Sequence, residues 1–176
     1  MIQLRAHGFL LRPFVETDAA AFAAAVREST ETLAVWMPWA RSDYTEQDAL
    51  DWFAFCAAGH ASGSAYEFGI FRQDDLRFVG GAGLNHFNSV HGFCNLGYWI
   101  RSSAYRQGAA TAAVAALARH AFDTLQLSRV EIVVAEGNEA SMGVARKSGA
   151  TYECLARNRV RLSQGPVAAH IFSLIP

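Results

Sequence analysis

The sequence has little of what several large functional classes require. Its three cysteines, Cys56, Cys94 and Cys154, are far apart and odd in number, with no CxxC among them. Neither a disulfide framework nor a cysteine zinc site is indicated, and reduced thiols in a cytoplasmic protein are the simple reading. No apolar run approaches the roughly 18–20 residues of a membrane span, so no membrane association is expected. The opening MIQLRAHGFLLRPF lacks the regions of a secretion signal, because Arg5, Arg12 and Pro13 interrupt it too early. The formal net charge of −1 lacks the basic excess left by phosphate-backbone binding, which argues against nucleic acid. His86 and His91 lie five apart across a turn-rich segment, unlike an HxxxH helical pair, so no metal is expected. Neither G-x-x-x-x-G-K-S/T nor G-x-G-x-x-G occurs, which disfavours a nucleotide-binding protein built on either motif.

What is present suits one folded domain over residues 1–176, with 52% hydrophobic residues to supply a core. Residues 2–14 alternate and predict an opening strand. Thr17 and Asp18 are candidate caps for the alanine-rich helix AAAFAAAVRES. LAVWMPWARSDY reads as a structured loop, and Thr45 with Asp48 starts the helix TEQDALDWFAFCAAG, for which Gly59 offers a stop. Strands follow at 65–72, 77–87 and 93–101, the second weakened by three glycines. A helix is predicted from Ala109 to Leu125, with Val114, Leu117, Ala121, Phe122 and Leu125 on one face. VEIVVA at 130–135 is a short buried strand, 139–149 a helix ended by Gly149, and 151–162 and 167–175 two closing strands. The order gives an α/β or α+β domain.

AYRQGAATAA, residues 104–113, runs a turn straight into a helix. A helix beginning near Ala109 leaves about four N–H groups without intrahelical partners, and its dipole favours an anion there. Gly108 permits close approach, Ala109 and Ala110 stay out of the way, and Arg106 and Gln107 offer further donors. The same residues also suit an ordinary turn that starts a buried helix. About thirty residues on comes NEASMGVARKSG (138–149), directly after the buried strand.

Together with LRPF, LAVWMPWA, LGYWI and HIFSLI in the same order, these two stretches resemble the GNAT N-acetyltransferase superfamily, in its RimJ/RimL-like branch. The resemblance spans nearly the whole chain. It implies a mixed, mostly antiparallel sheet of about six to seven strands flanked by helices, and transfer of acetyl from acetyl-CoA to a primary amine by direct attack. It implies a pyrophosphate on the loop Tyr105, Arg106, Gln107, Gly108, Ala109 and Ala110, with Thr111 next; Tyr105 departs from the Gln or Arg that begins the pattern Q/R-x-x-G-x-G/A. The pantetheine arm would pair with backbone at Tyr98, Trp99 and Ile100, an amide near Ile100 would face the thioester oxygen, and Asn138 would bind pantetheine. Many members protonate the leaving thiol with a tyrosine, where this chain has Ala145; Ser141, one turn earlier, resembles the serine of RimL-like enzymes. The alternative reading of Ser141 is a second- or third-residue helix cap.

The base is less direct. A glutamate of some relatives falls at Val160, and an acid before LGYW is here Asn95. Glu67, His86 and Glu131 are the remaining candidates, each also readable as a surface charge or a hydrogen-bonded strand residue. The lack of an obvious base tilts toward an α-amine, of which roughly a tenth is neutral at pH 7, over a lysine. Trp36, Met37, Trp39 and Tyr44 resemble the branch's acceptor-side loop, with His86 as a further contact, or form a loop pinned to the core. Trp52 and Phe55 have core spacing. A homodimer is possible by resemblance. The alternative in class is a non-catalytic acyl-CoA sensor.

Overall fold

The computed structural model describes residues 2–176. One eight-stranded sheet runs through the molecule. Its strands are β1 (Leu4–Ala6), β2 (Phe9–Arg12), β3 (Tyr66–Arg72), β4 (Phe78–Asn88), β5 (Phe93–Ile100), β6 (Arg129–Ala135), β7 (Thr151–Leu162) and β8 (Gly165–Leu174), in the spatial order β1-β2-β3-β4-β5-β6-β8-β7. Only β5 and β6 pair in parallel; the other neighbours are antiparallel. The sheet is mixed and mostly antiparallel, as expected, with one strand more than the sequence suggested. The extra strand arises because 2–14 is a hairpin, turned at His7 (φ 46°) and Gly8 (φ 83°) so that Leu4 faces Leu11.

Five helices cover it: α1 (Ala19–Glu28), α2 (Thr30–Leu33), α3 (Glu46–Ser62), α4 (Ala109–Arg119) and α5 (Glu139–Lys147). The Thr45–Asp48 capping box opens α3, with the Asp48 N–H donating to Thr45 Oγ1 at 3.1 Å and the Thr45 N–H to Asp48 Oδ2 at 2.7 Å. Two expectations are corrected. Gly59 does not end α3; it packs against Ala65, and the helix stops at Gly63 in the left-handed region (φ 71°). Asp18 does not cap α1; its carboxylate takes two bonds from Arg12, at 2.7 and 2.8 Å, and one from the Val15 N–H.

Two cores lie on opposite faces. On one, the small side chains of α4 let Ala109, Ala112, Ala113 and Ala116 press onto Leu84, Leu96 and Val130. After Arg119 the chain continues in one π turn, His120–Thr124. On the other, α1 and α3 close an aromatic cluster in which Phe14 stacks on Phe53 at 4.5 Å and Phe22 meets Trp99 edge-on at 5.3 Å. Phe55, expected in this core, is exposed and stacks on the half-buried Trp52.

Candidate active site

The parallel pairing of β5 with β6 covers only Phe93–Arg129, Cys94–Val130 and Asn95–Glu131. Beyond that the two strands part. The Arg101 N–H donates to Val79 O at 2.9 Å, and strand amides alternate in direction. The backbone N–H and C=O of Tyr98 and Ile100 therefore turn away from β4 toward the opening, where an extended ligand can take them up as an added strand would. Trp99 points its backbone the other way and contributes its ring.

At one end of the opening lies the start of α4. Arg106 (φ 61°) and Gly108 (φ 85°) sit in the left-handed region, and no side chain caps the helix. Among the described residues, the N–H groups of Arg106, Gln107, Gly108, Ala109, Ala110 and Thr111 have no acceptor; the first helical bond is from Ala112 N–H to Gly108 O, 2.9 Å. Such a run of unpaired amides at a helix N-terminus cradles an anion. A Cβ at Gly108 would meet nothing within 4 Å, so the space above it is open. Gln107, expected as a side-chain donor there, instead donates to Ser103 O at 3.2 Å. Tyr105 is held by Thr32, oxygen to oxygen 2.8 Å.

At the other side of the opening, Asn138 caps α5 by accepting from the Ser141 N–H at 3.1 Å. Its amide nitrogen has no acceptor among the described residues and is left to donate. The Ser141 hydroxyl lies 3.0 Å from the Tyr98 phenol, which also donates to Ser141 O at 3.1 Å. Burial pushes the Tyr98 pKa up to about 12, the bond with Ser141 offsetting part of the rise.

The opposite face of the sheet carries different chemistry. Asn85 Nδ2 donates to Glu67 Oε1, and Asn95 Nδ2 to Asn85 Oδ1, both at 2.9 Å, so a chain of polar groups crosses β3, β4 and β5. The His60 ring binds the Glu67 carbonyl at 2.8 Å. Burial raises the Glu67 pKa, and the Asn85 bond lowers it in part. Glycines 81, 83 and 97 lie in a row beside this carboxylate, Gly81 beneath the Trp99 ring, which is 2.7 Å from where a Cβ of Gly81 would be. A Cβ at Gly83 would overlap Glu67, whereas one at Gly97 would meet only Asn95 Nδ2, at 3.9 Å, so the space above Gly97 is open.

Segment 32–39 spans these parts. Thr32 holds Tyr105, the Trp36 ring lies 3.8 Å from where a Cβ of Gly137 would be, and Trp39 meets Trp99 edge-on at 5.8 Å. Met37 packs on the aromatic core, and Tyr44 is buried in it; burial pushes the Tyr44 pKa up to about 12. Tyr44 thus pins the loop and does not line a pocket. His86 is exposed at the β4 bulge (φ 50°) and is not brought to Glu67 or Ser141. Glu131 faces Asn95 across the sheet, but its carboxylate is bound by Arg129 Nε at 3.0 Å. No group of three or more His, Cys, Asp or Glu able to hold a metal occurs among the described residues.

The sequence reading missed the tie from Asn85 to Glu67 and the contact of the Tyr98 phenol with Ser141. A signal was available for the first: Gly81, Gly83, Asn85, Asn95, Gly97 and Trp99 all fall on one face at spacing two.

Residues 9–151 match the family model described as "Acetyltransferase (GNAT) domain". A Bacillus subtilis (strain 168) protein named "Putative ribosomal N-acetyltransferase YdaF" is 30% identical over 146 residues, 80% of this chain and 76% of that one. Mycobacterium smegmatis RimJ in complex with CoA-disulfide superposes with a TM-score of 0.88 at 25% identity, covering 99% of this chain and 86% of that one. RimL, the ribosomal L7/L12 alpha-N-protein acetyltransferase, in complex with coenzyme A, shares the fold with a TM-score of 0.89 at 20% identity, covering 99% and 98%.

Proposed function

The chain belongs to the GNAT acetyltransferase family and is an N-acetyltransferase, and from that premise we propose that it moves acetyl from acetyl-CoA onto the α-amine of a protein N-terminus by direct attack. The observation that carries this reading is the opening between β5 and β6, which joins a face with a run of unpaired helix-end amides to a face bearing a half-buried carboxylate. The unpaired amides of residues 106–111 suit the pyrophosphate, the free backbone of Tyr98 and Ile100 suits the pantetheine amides, and Asn138 has a donor to spare. The names of YdaF and RimL support a ribosomal-protein N-terminus as acceptor.

The chemistry runs as follows. Glu67 takes a proton from the ammonium over Gly97, which is the easier for an α-amine because its pKa is about 8 against about 10.4 for lysine. The neutral amine attacks the thioester carbon, and the oxygen that gains charge accepts from a gap-facing amide of β5. The C–S bond breaks with its electron pair on sulfur, and the Ser141 hydroxyl donates a hydrogen bond to it. The second proton on nitrogen passes to the thiolate, so that CoA leaves as the thiol, and Glu67 returns the first to solvent. A non-catalytic sensor is not retained, since family membership and Glu67 both favour turnover.

The test measures CoA thiol release with peptides of matched sequence. Turnover is expected on a free N-terminus and not on an N-acetylated peptide carrying lysine. Equal rates on both would overturn the α-amine assignment.

A further inference from the structure

The Tyr98 phenol has no part in the chemistry derived above, yet it is half-buried and its oxygen lies 3.0 Å from Ser141 Oγ and 3.1 Å from Ser141 O. Tyr98 stands on β5 and Ser141 on α5, which follows β6. The contact therefore bridges the two sides of the opening. A serine hydroxyl rotates freely, and in the first turn of a helix it has nearby backbone groups to compete for its proton. Tyr98 removes that freedom. Its single proton has two acceptors in reach, Ser141 O at 3.1 Å and Ser141 Oγ at 3.0 Å; when Oγ takes it, the Ser141 proton is left for whatever charge appears in the opening. With the Ser141 N–H capped by Asn138, both the backbone and the hydroxyl of this residue are fixed.

We propose that Tyr98 is a positioning residue for the leaving group: its phenol holds the Ser141 hydroxyl so that the proton of Ser141 faces the departing thiolate. No covalent step is added. The C–S electron pair collects on sulfur, Ser141 donates to it, and the phenol keeps its proton, as burial requires. The inference rests on the acetyl-transfer reading, and it assigns to Tyr98 an action exerted entirely through Ser141.

The test is a double-mutant cycle on the full chain with a peptide amine and acetyl-CoA. Tyr98→Phe is expected to lower kcat about ten-fold, with KM for acetyl-CoA within about two-fold. Ser141→Ala is expected to lower kcat by about ten-fold or more. In the Ser141→Ala background, Tyr98→Phe is expected to change kcat by less than about two-fold, since the group it positions is gone. Equal factors in both backgrounds, or a loss confined to the KM for acetyl-CoA, would overturn the proposal. Tyr98→Met, which fills the site without a hydroxyl, carries the same expectation if the phenylalanine variant does not fold. Turnover by the unaltered chain separates the two ideas: if it fails on every amine, the acetyl-transfer reading fails; if it succeeds and the cycle is additive, only the role of Tyr98 does.

Discussion

Glu67 shows how neighbours change the chemistry of one carboxylate. In an extended strand a glutamate normally reaches water, but here the carboxylate lies over Gly83 with α3 above it and takes one bond, from Asn85. Burial dominates and raises its pKa. A folded-state pKa above the unfolded value means that the folded protein holds this proton more tightly. Stability from that proton is present below the unfolded pKa and is lost as pH rises through the folded one, so at neutral pH the charge costs stability. Glu67→Gln keeps an oxygen for Asn85 and removes the charge. The expected result is a Tm at pH 8 equal to or above that of the parent, with kcat/KM for the peptide down by about ten-fold or more. If Glu67 is the base, kcat/KM of the parent should rise with pH as its carboxylate ionises, and that contribution should vanish in the variant. A stable variant with full activity would remove Glu67 as the base.

At the scale of elements, the glycines of β4 and β5 do what bulkier residues would block. Gly83→Ala would press a methyl into the Glu67 carboxylate, which must swing aside and lose its bond from Asn85, and is expected to cost about 1 kcal/mol of stability, the worth of that bond. Gly97→Ala meets only Asn95 and is expected to stay within about 0.5 kcal/mol of the parent while raising KM for the peptide, because the methyl stands where the amine approaches. Chemical denaturation and steady-state kinetics on both variants check the contrast; similar losses of stability would contradict it. The same elements show what local sequence can convey. The Thr45–Asp48 box and the start of α4 are local hydrogen-bond problems and were legible. Gly59 was misread because glycine serves two needs: at 59 it is the missing Cβ against Ala65, and at 63 the left-handed turn. The break at His7–Gly8 was hidden by unbroken alternation on either side. The spacing of Gly81, Gly83 and Asn85 marks one face of β4, but that Glu67 meets it depends on strand register, and the link from Tyr98 to Ser141 is a contact 43 residues apart in the chain that no local pattern encodes.

At the scale of the molecule, the one parallel pair among the described strands is also where the sheet opens. A parallel neighbour cannot be reached by a tight turn, so the chain must leave β5, cross by α4 and return as β6. That crossover brings the α4 N-terminus to the end of β5, and the brevity of the β5–β6 pairing leaves backbone free beside it. A ligand in the opening would touch both strands and the helix end, and would add the cross-sheet bonds that the protein lacks there. CoA at about 100 times its Kd should therefore stabilise the fold by about 2.7 kcal/mol, raising Tm by roughly 5–10 °C for a domain of this size. Pantetheine fills the same gap but carries no pyrophosphate for the amides of residues 106–111. At equal concentration its shift should be less than half that of CoA, and added salt should erode the CoA shift alone. An equal shift from pantetheine would show that the α4 N-terminus binds no phosphate, and the opening between β5 and β6 would then account for the whole of the affinity.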